Sequence, residues 1–161
     1  MACVLTIVLF ATVGCNDNGS HVTAELNENA SLSGNLPYNP LQWRVITTAI
    51  NKQDSTMYTL YGNDVAIQYA RTNSQNDYPV GAVLALVMWR QRDDSRWFGA
   101  KIPDRVKSVE FVTVGPGEDR RPSYSYQDYE GAPLKKTAAH EGLVPNERAA
   151  YLLSQRAAVM P

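Results

Sequence analysis

GAVLALVMW, residues 81–89, is nine consecutive apolar residues with no charge and no turn former after its first glycine. A run of that length is too short to span a bilayer and suits a strand buried on both faces. Such a strand belongs at the centre of a sheet, or beneath a partner subunit. A homodimer that covers the excess apolar surface is therefore one expectation. Whatever forms around this run must supply strands on either side of it and cover on both faces.

The flanking segments supply the strands. WRVITTAI (43–50) and TMYTLYG (56–62) are rich in β-branched and aromatic residues and enclose NKQDS, which predicts a hairpin. NDVAIQYAR (63–71) changes period: Val65, Ala66, Tyr69 and Ala70 fall on one helical face, with Asn63 or Asp64 placed to cap the first turn. SQNDYPVG (74–81) reads as loop. RDDS (92–95) predicts a turn and RWFGAKI (96–102) a returning strand, a symmetric turn about Asp93 setting Trp89 opposite Trp97. VKSVEFVTV (106–114) is a further strand closed by GPG (115–117), and SYSYQDYEG (123–131) a last one, with Tyr124 and Tyr126 on one face. NERAAYLLSQRAAV (146–159) predicts a C-terminal amphipathic helix, capped by Asn146, with Ala149, Leu152, Leu153 and Ala157 as its apolar stripe. The class is α+β: a mainly antiparallel β-sheet carrying a helix near 63–71 and the C-terminal helix.

The amino-terminal residues follow a different logic. In residues 1–15, VLTIVLF has the length of a secretory apolar core, and TVGC after it resembles a lipobox, in which Cys15 is lipidated. Thr12 stands where Leu is usual, and no Lys or Arg precedes the apolar run. The expectation is export to the bacterial cell envelope, anchored to the membrane by lipid at Cys15 and facing the periplasm or exterior; a cleaved, secreted chain is the alternative. Residues 16–37, rich in Asn, Ser and Gly, read as a flexible tether, leaving residues 38–161 as the folded domain.

This reading settles the sulfur chemistry. The chain holds two cysteines, Cys3 and Cys15. With the first discarded and the second acylated, no thiol remains for a disulfide, a thiolate nucleophile, a Cys-ligated zinc or an iron–sulfur cluster. The net charge of −1 offers no electrostatic case for nucleic acid or an acidic membrane. There is no G-x-S-x-G, P-loop, H-E-x-x-H or dinucleotide fingerprint. GPGED (115–119) follows a strand without opening a helix, so it reads as a turn, and the adjacent Asp93 and Asp94 splay apart rather than converge.

Taken in order, WRVIT, STMYTLYGNDVA, YPVGAVLALVMW, WFGAKIP, the tyrosine-rich strand and KTAAH resemble the cytochrome P-460 family and its cytochrome c′-beta relatives. The resemblance spans roughly residues 38–160. It implies an antiparallel β protein that dimerises and carries one c-type haem, attached through C-x-x-C-H, whose histidine ligates the iron. It also implies hydroxylamine oxidation or the binding of small gases. The motif laid on KTAAH puts Lys136 and Ala139 where the cysteines belong and keeps His140. Thioether attachment is thereby excluded, and only non-covalent haem is left. Leu86 stands at the position of the lysine that cross-links to the macrocycle in oxidising members, so hydroxylamine oxidation is not carried over and no catalytic residue is assigned. The resemblance implies His140 as axial ligand or metal ligand, with Leu84, Leu86, Met88, Trp97 and Phe111 as pocket. The residues alone read His140 as a surface histidine. Two functions follow: non-covalent haem for small-gas binding or electron transfer, or a haem-free envelope lipoprotein holding another small ligand or a protein partner.

Overall fold

A computed structural model describes residues 27–72 and 77–158. Its frame is a six-stranded antiparallel sheet in strictly consecutive order: β1 (Arg44–Asn51), β2 (Thr56–Gly62), β3 (Val83–Asp93), β4 (Lys101–Pro116), β5 (Pro122–Glu130) and β6 (Lys135–Gly142). Helix α1 (Asp64–Thr72) connects β2 to β3, and helix α2 (Glu147–Ser154) follows β6. The apolar run lies in β3 at the middle of the sheet, where Leu84, Ala85, Leu86 and Val87 are fully buried.

Alternation along the strands divides the core in two. Leu60, Leu84, Leu86, Val112, Val114, Tyr124 and Tyr126 face α1 and α2, meeting Ala66, Ile67, Ala70, Ala149, Leu152 and Leu153. Ala85, Val87, Trp89, Val109, Phe111 and Tyr129 face the other way, onto Ala30, Leu32, Leu36 and Trp43. Both faces of β3 are thus covered within one chain, which meets the need that motivated a dimer.

Each helix begins as its sequence requires. The Asn63 side chain accepts from Ala66 N at 3.0 Å, and that of Asn146 from Ala149 N at 2.7 Å. The buried face of α1 is Ala66, Ile67 and Ala70; Val65 is exposed, so the helix is rotated from the expected face. Helix α2 stops at Ser154, short of the predicted 159, because the chain turns extended at Gln155 and Ala158 N is captured by the Ile46 carbonyl at 2.8 Å.

Three further expectations are corrected. Residues 27–37 are not tether: Trp89 Nε1 donates to the Ala30 carbonyl at 2.9 Å, Leu134 N to Ser33 O at 2.7 Å, and Asn27 Nδ2 to the carbonyls of Pro103 and Asp104 at 3.0 and 2.8 Å. Trp89 lies opposite Val106, not Trp97, because β3 runs on to Asp93 and the chain reverses around 94–100. And the strand at 122–130 is not the last, since KKTAAHEG forms an eight-residue edge strand, β6, paired to β5. The expected signal segment 1–15, with Cys15, and residues 16–26 lie outside the described residues.

Candidate functional site

His140 sits on β6, opposite Tyr126 in register and on the sheet face that carries the helices. Strand β6 is the sheet's edge, and every residue from Lys135 to Glu141 is exposed, His140 included. Among the described residues the imidazole makes one hydrogen bond, Nε2 with the Val144 carbonyl at 3.4 Å. Among the described residues no group of three or more His, Cys, Asp or Glu could hold a metal ion.

The residues proposed to enclose a haem beside it do not converge. Leu84 and Leu86 lie sealed beneath the helices, and Met88 is half-buried on the same face. Phe111 projects from the opposite face, edge-on to Tyr129 with centroids 5.8 Å apart. Trp97 is 72% exposed in the β3–β4 turn. Lys136 and Ala139 offer no sulfur. A porphyrin needs an apolar slot next to its ligand; here the imidazole stands at a solvated edge and the apolar side chains are packed against one another. The residues present do not fit the group.

The helix-covered face instead builds a polar site one row along the sheet. Leu86 pairs with Glu110, and Glu110 with Asp128, so a carboxylate stands directly beside the buried leucine. Glu110 is only 4% exposed. Its charge is met by Arg148 from the first turn of α2, with Nε donating to Oε2 at 2.6 Å and Nη2 to Oε1 at 2.7 Å, and by the Tyr126 hydroxyl at 2.9 Å. That fork is the geometry in which an arginine best satisfies a carboxylate. The hydrogen bonds to Glu110 raise the Arg148 pKa further, and burial together with the Glu110 charge pushes the Tyr126 phenol far above its ordinary range.

Asp128 is less well served. Oδ2 accepts from Thr137 Oγ1 at 2.9 Å, whereas Oδ1 is buried with no partner. Desolvation raises its pKa, with the Glu110 and Glu130 charges, opposed by hydrogen bonds from Thr137 and from the Tyr129 backbone. Asp128, Glu110, Tyr126, Arg148, Met88 and Ser108 line a cavity of about 250 Å³. A wider cleft of about 640 Å³ lies at the other end of β4, between Glu28, Ser31, Asp104, Arg105 and Pro133; the geometry concentrates no buried charge there.

Glu110 was legible in one respect. It is a lone carboxylate inside VKSVEFVTV, flanked by apolar residues on both sides, and a buried charge has to find a partner. Its partner lies 38 residues away on a different element, which no local pattern reveals.

A sequence model of the cytochrome P460 family matches residues 38–142, well over half the chain. The chain belongs to that family, which ties it to haem proteins and covers the whole sheet from before β1 to the end of β6. Helix α2, which carries Arg148, lies beyond the matched segment. No curated protein sequence matches the chain significantly.

Proposed function

We propose that this cytochrome P460 family member is an exported, lipid-anchored binding domain that works without covalent haem and takes a small polar ligand in the cavity between β4, β5 and α2. One observation carries the reading. Asp128 and Glu110 both line that cavity, and Asp128 also has a carboxylate oxygen, Oδ1, buried without a hydrogen-bond partner, so the site holds more acceptor capacity than the chain satisfies. A ligand with a hydroxyl or ammonium group, bound beside Glu110 and Asp128, would supply a donor to this acceptor-rich site. A cavity of about 250 Å³ is below the roughly 300 Å³ at which sites for drug-sized ligands begin, so the ligand is a molecule of few heavy atoms.

In this reading Arg148 and Tyr126 hold the Glu110 side chain fixed, so the cavity's polar wall is preset before a ligand arrives. Export and anchoring to the bacterial envelope are supported by VLTIVLF and by Cys15 in TVGC. Mass spectrometry of the mature chain tests that part by the acyl mass on Cys15.

The cavity is tested by thermal denaturation with ethanolamine and glycerol as probes. At least one should raise the melting temperature of the chain and leave Asp128→Asn unmoved. Equal shifts in both proteins, or none in either, would remove the reading. An absorption spectrum of protein from its own host completes the test: a stoichiometric Soret band abolished in His140→Ala would replace this proposal with non-covalent haem ligation.

A further inference from the structure

Beyond the ligand cavity, the β3–β4 hairpin stands out from its sheet. Strand β2 ends its pairing with β3 at Arg90, and β5 ends its pairing with β4 at Ser108. Residues 91–93 and 101–103 continue as a two-stranded arm, paired to each other through Gln91–Pro103, Arg92–Ile102 and Asp93–Lys101, with Gln91 N bonded at its base to the Ser55 carbonyl at 3.0 Å. Its turn is a defined structure: Asp94 N donates to Ala100 O at 3.0 Å, Ala100 N to Trp97 O at 3.0 Å, Arg96 N to Asp94 Oδ1 at 2.8 Å, and Gly99 takes φ +78. At its apex Trp97 is 72% exposed and Phe98 wholly exposed.

Two adjacent aromatics held outward on a braced turn are an unusual use of apolar surface. Their surroundings are basic. Between Arg90 and Arg105 lie five cations (Arg90, Arg92, Arg96, Lys101, Arg105) against three acids (Asp93, Asp94, Asp104), in a chain whose total is −1. Lys101 pairs with Asp93, and Arg92 and Arg105 share Asp104, while Arg90 and Arg96 form no ion pair among the described residues.

We propose that this arm is a membrane-docking element, Trp97 and Phe98 entering the interfacial layer of an anionic lipid surface while the arginines meet its headgroups. Tryptophan and basic side chains share that zone because the ring prefers the boundary and the cations prefer the phosphates. The position of the chain's entry supports the same occupant. Asn27, the first described residue, is bound at the base of the arm through the Pro103 and Asp104 carbonyls. The stretch from Cys15 to Asn27 can span at most roughly 40 Å, so a lipid on Cys15 would keep the arm within reach of the bilayer and make its contact intramolecular. That last step rests on the anchoring reading above; the exposure and the charge do not.

The test uses full-length protein reconstituted into phosphatidylethanolamine–phosphatidylglycerol vesicles containing acyl-chain-brominated lipid, with Cys15 acylation determined by mass on the same sample. Tryptophan emission should be quenched and blue-shifted, the quenched component lost in Trp97→Phe and cut several-fold in Phe98→Asp. Quenching that is absent, or unchanged in Trp97→Phe, overturns the proposal whether or not Cys15 is acylated. A lipid-free dimer by sedimentation equilibrium that Phe98→Asp dissociates would overturn it too, giving the apex to a second copy of the chain.

Discussion

Arg148 grips Glu110 through two parallel hydrogen bonds of 2.6 and 2.7 Å, joining the first turn of α2 to the middle of β4. Only the carboxylate end is buried: the Glu110 side chain is 6% exposed and that of Arg148 40%. The pair therefore works less as a source of net stability than as a latch, because removing the arginine leaves the carboxylate buried without a counter-charge.

Arg148→Met should destabilise the fold by about 2 kcal/mol, below the 3–5 kcal/mol of a fully buried pair because the guanidinium is partly solvated. Glu110→Met with Arg148→Met should recover most of the loss. Urea denaturation of the single and double variants measures both; a double variant as unstable as Arg148→Met alone would refute the latch.

Asp128 gives a pH dependence of known sign. Its pKa is raised in the folded state by desolvation, so the fold binds that proton more tightly than the unfolded chain does. Its effect is favourable at acid pH and is lost as pH climbs from the ordinary carboxylate range through the raised value, leaving a penalty at neutral pH. Asp128→Asn should thus stabilise the protein at pH 7, by up to about 1 kcal/mol given its partial exposure, and the gain should vanish in acid. Thermal melts across pH 3–7 read it out.

Tyr58 and Tyr151 meet hydroxyl to hydroxyl at 3.2 Å, and this hydrogen bond, with burial, pushes the Tyr58 phenol up to about 12. Spectrophotometric titration should find it there and find it returning toward 10 in Tyr151→Phe. The contact's stabilisation is complete below pH 10 and disappears as pH rises through 12.

Gly34, at φ +136, runs against Leu134, where a β-carbon would come within 2.4 Å of the Leu134 carbonyl oxygen. Gly34→Ala should lift residues 27–37 from the sheet and expose Trp89, whose indole is bonded to Ala30. Faster hydrogen exchange at the Trp89 indole is the expected result, with β3 and β4 amides still protected.

The sequence was most readable where one side chain type decides the outcome. β1, β2 and the apolar part of β3 carry enough β-branched and aromatic residues to be located within a residue or two. β6 escaped because Lys-Lys-Thr-Ala-Ala-His-Glu-Gly buries nothing; an edge strand pinned by its neighbour's hydrogen bonds needs no apolar alternation, and its lysines discourage pairing with other chains. Residues 27–37 misled in a similar way: three modest apolar contacts and the Trp89 indole hold a segment whose composition resembles a linker. Trp97 was misplaced by assuming a short symmetric turn. The basic arm vanished in a net charge near zero, since composition averages over surfaces that the fold separates.

The consecutive order of the strands has a kinetic corollary. Every strand registers on the one synthesised just before it, so the sheet can grow pair by pair as a chain emerges, its longest connection being the segment 63–82 that carries α1. Helix α2 follows β6, so the arginine that covers Glu110 arrives only after the strand bearing that carboxylate has been placed. Nascent molecules halted before residue 147 would hold a finished meander with a bare acid at its centre, a vulnerable state that the closing eight-residue helix ends.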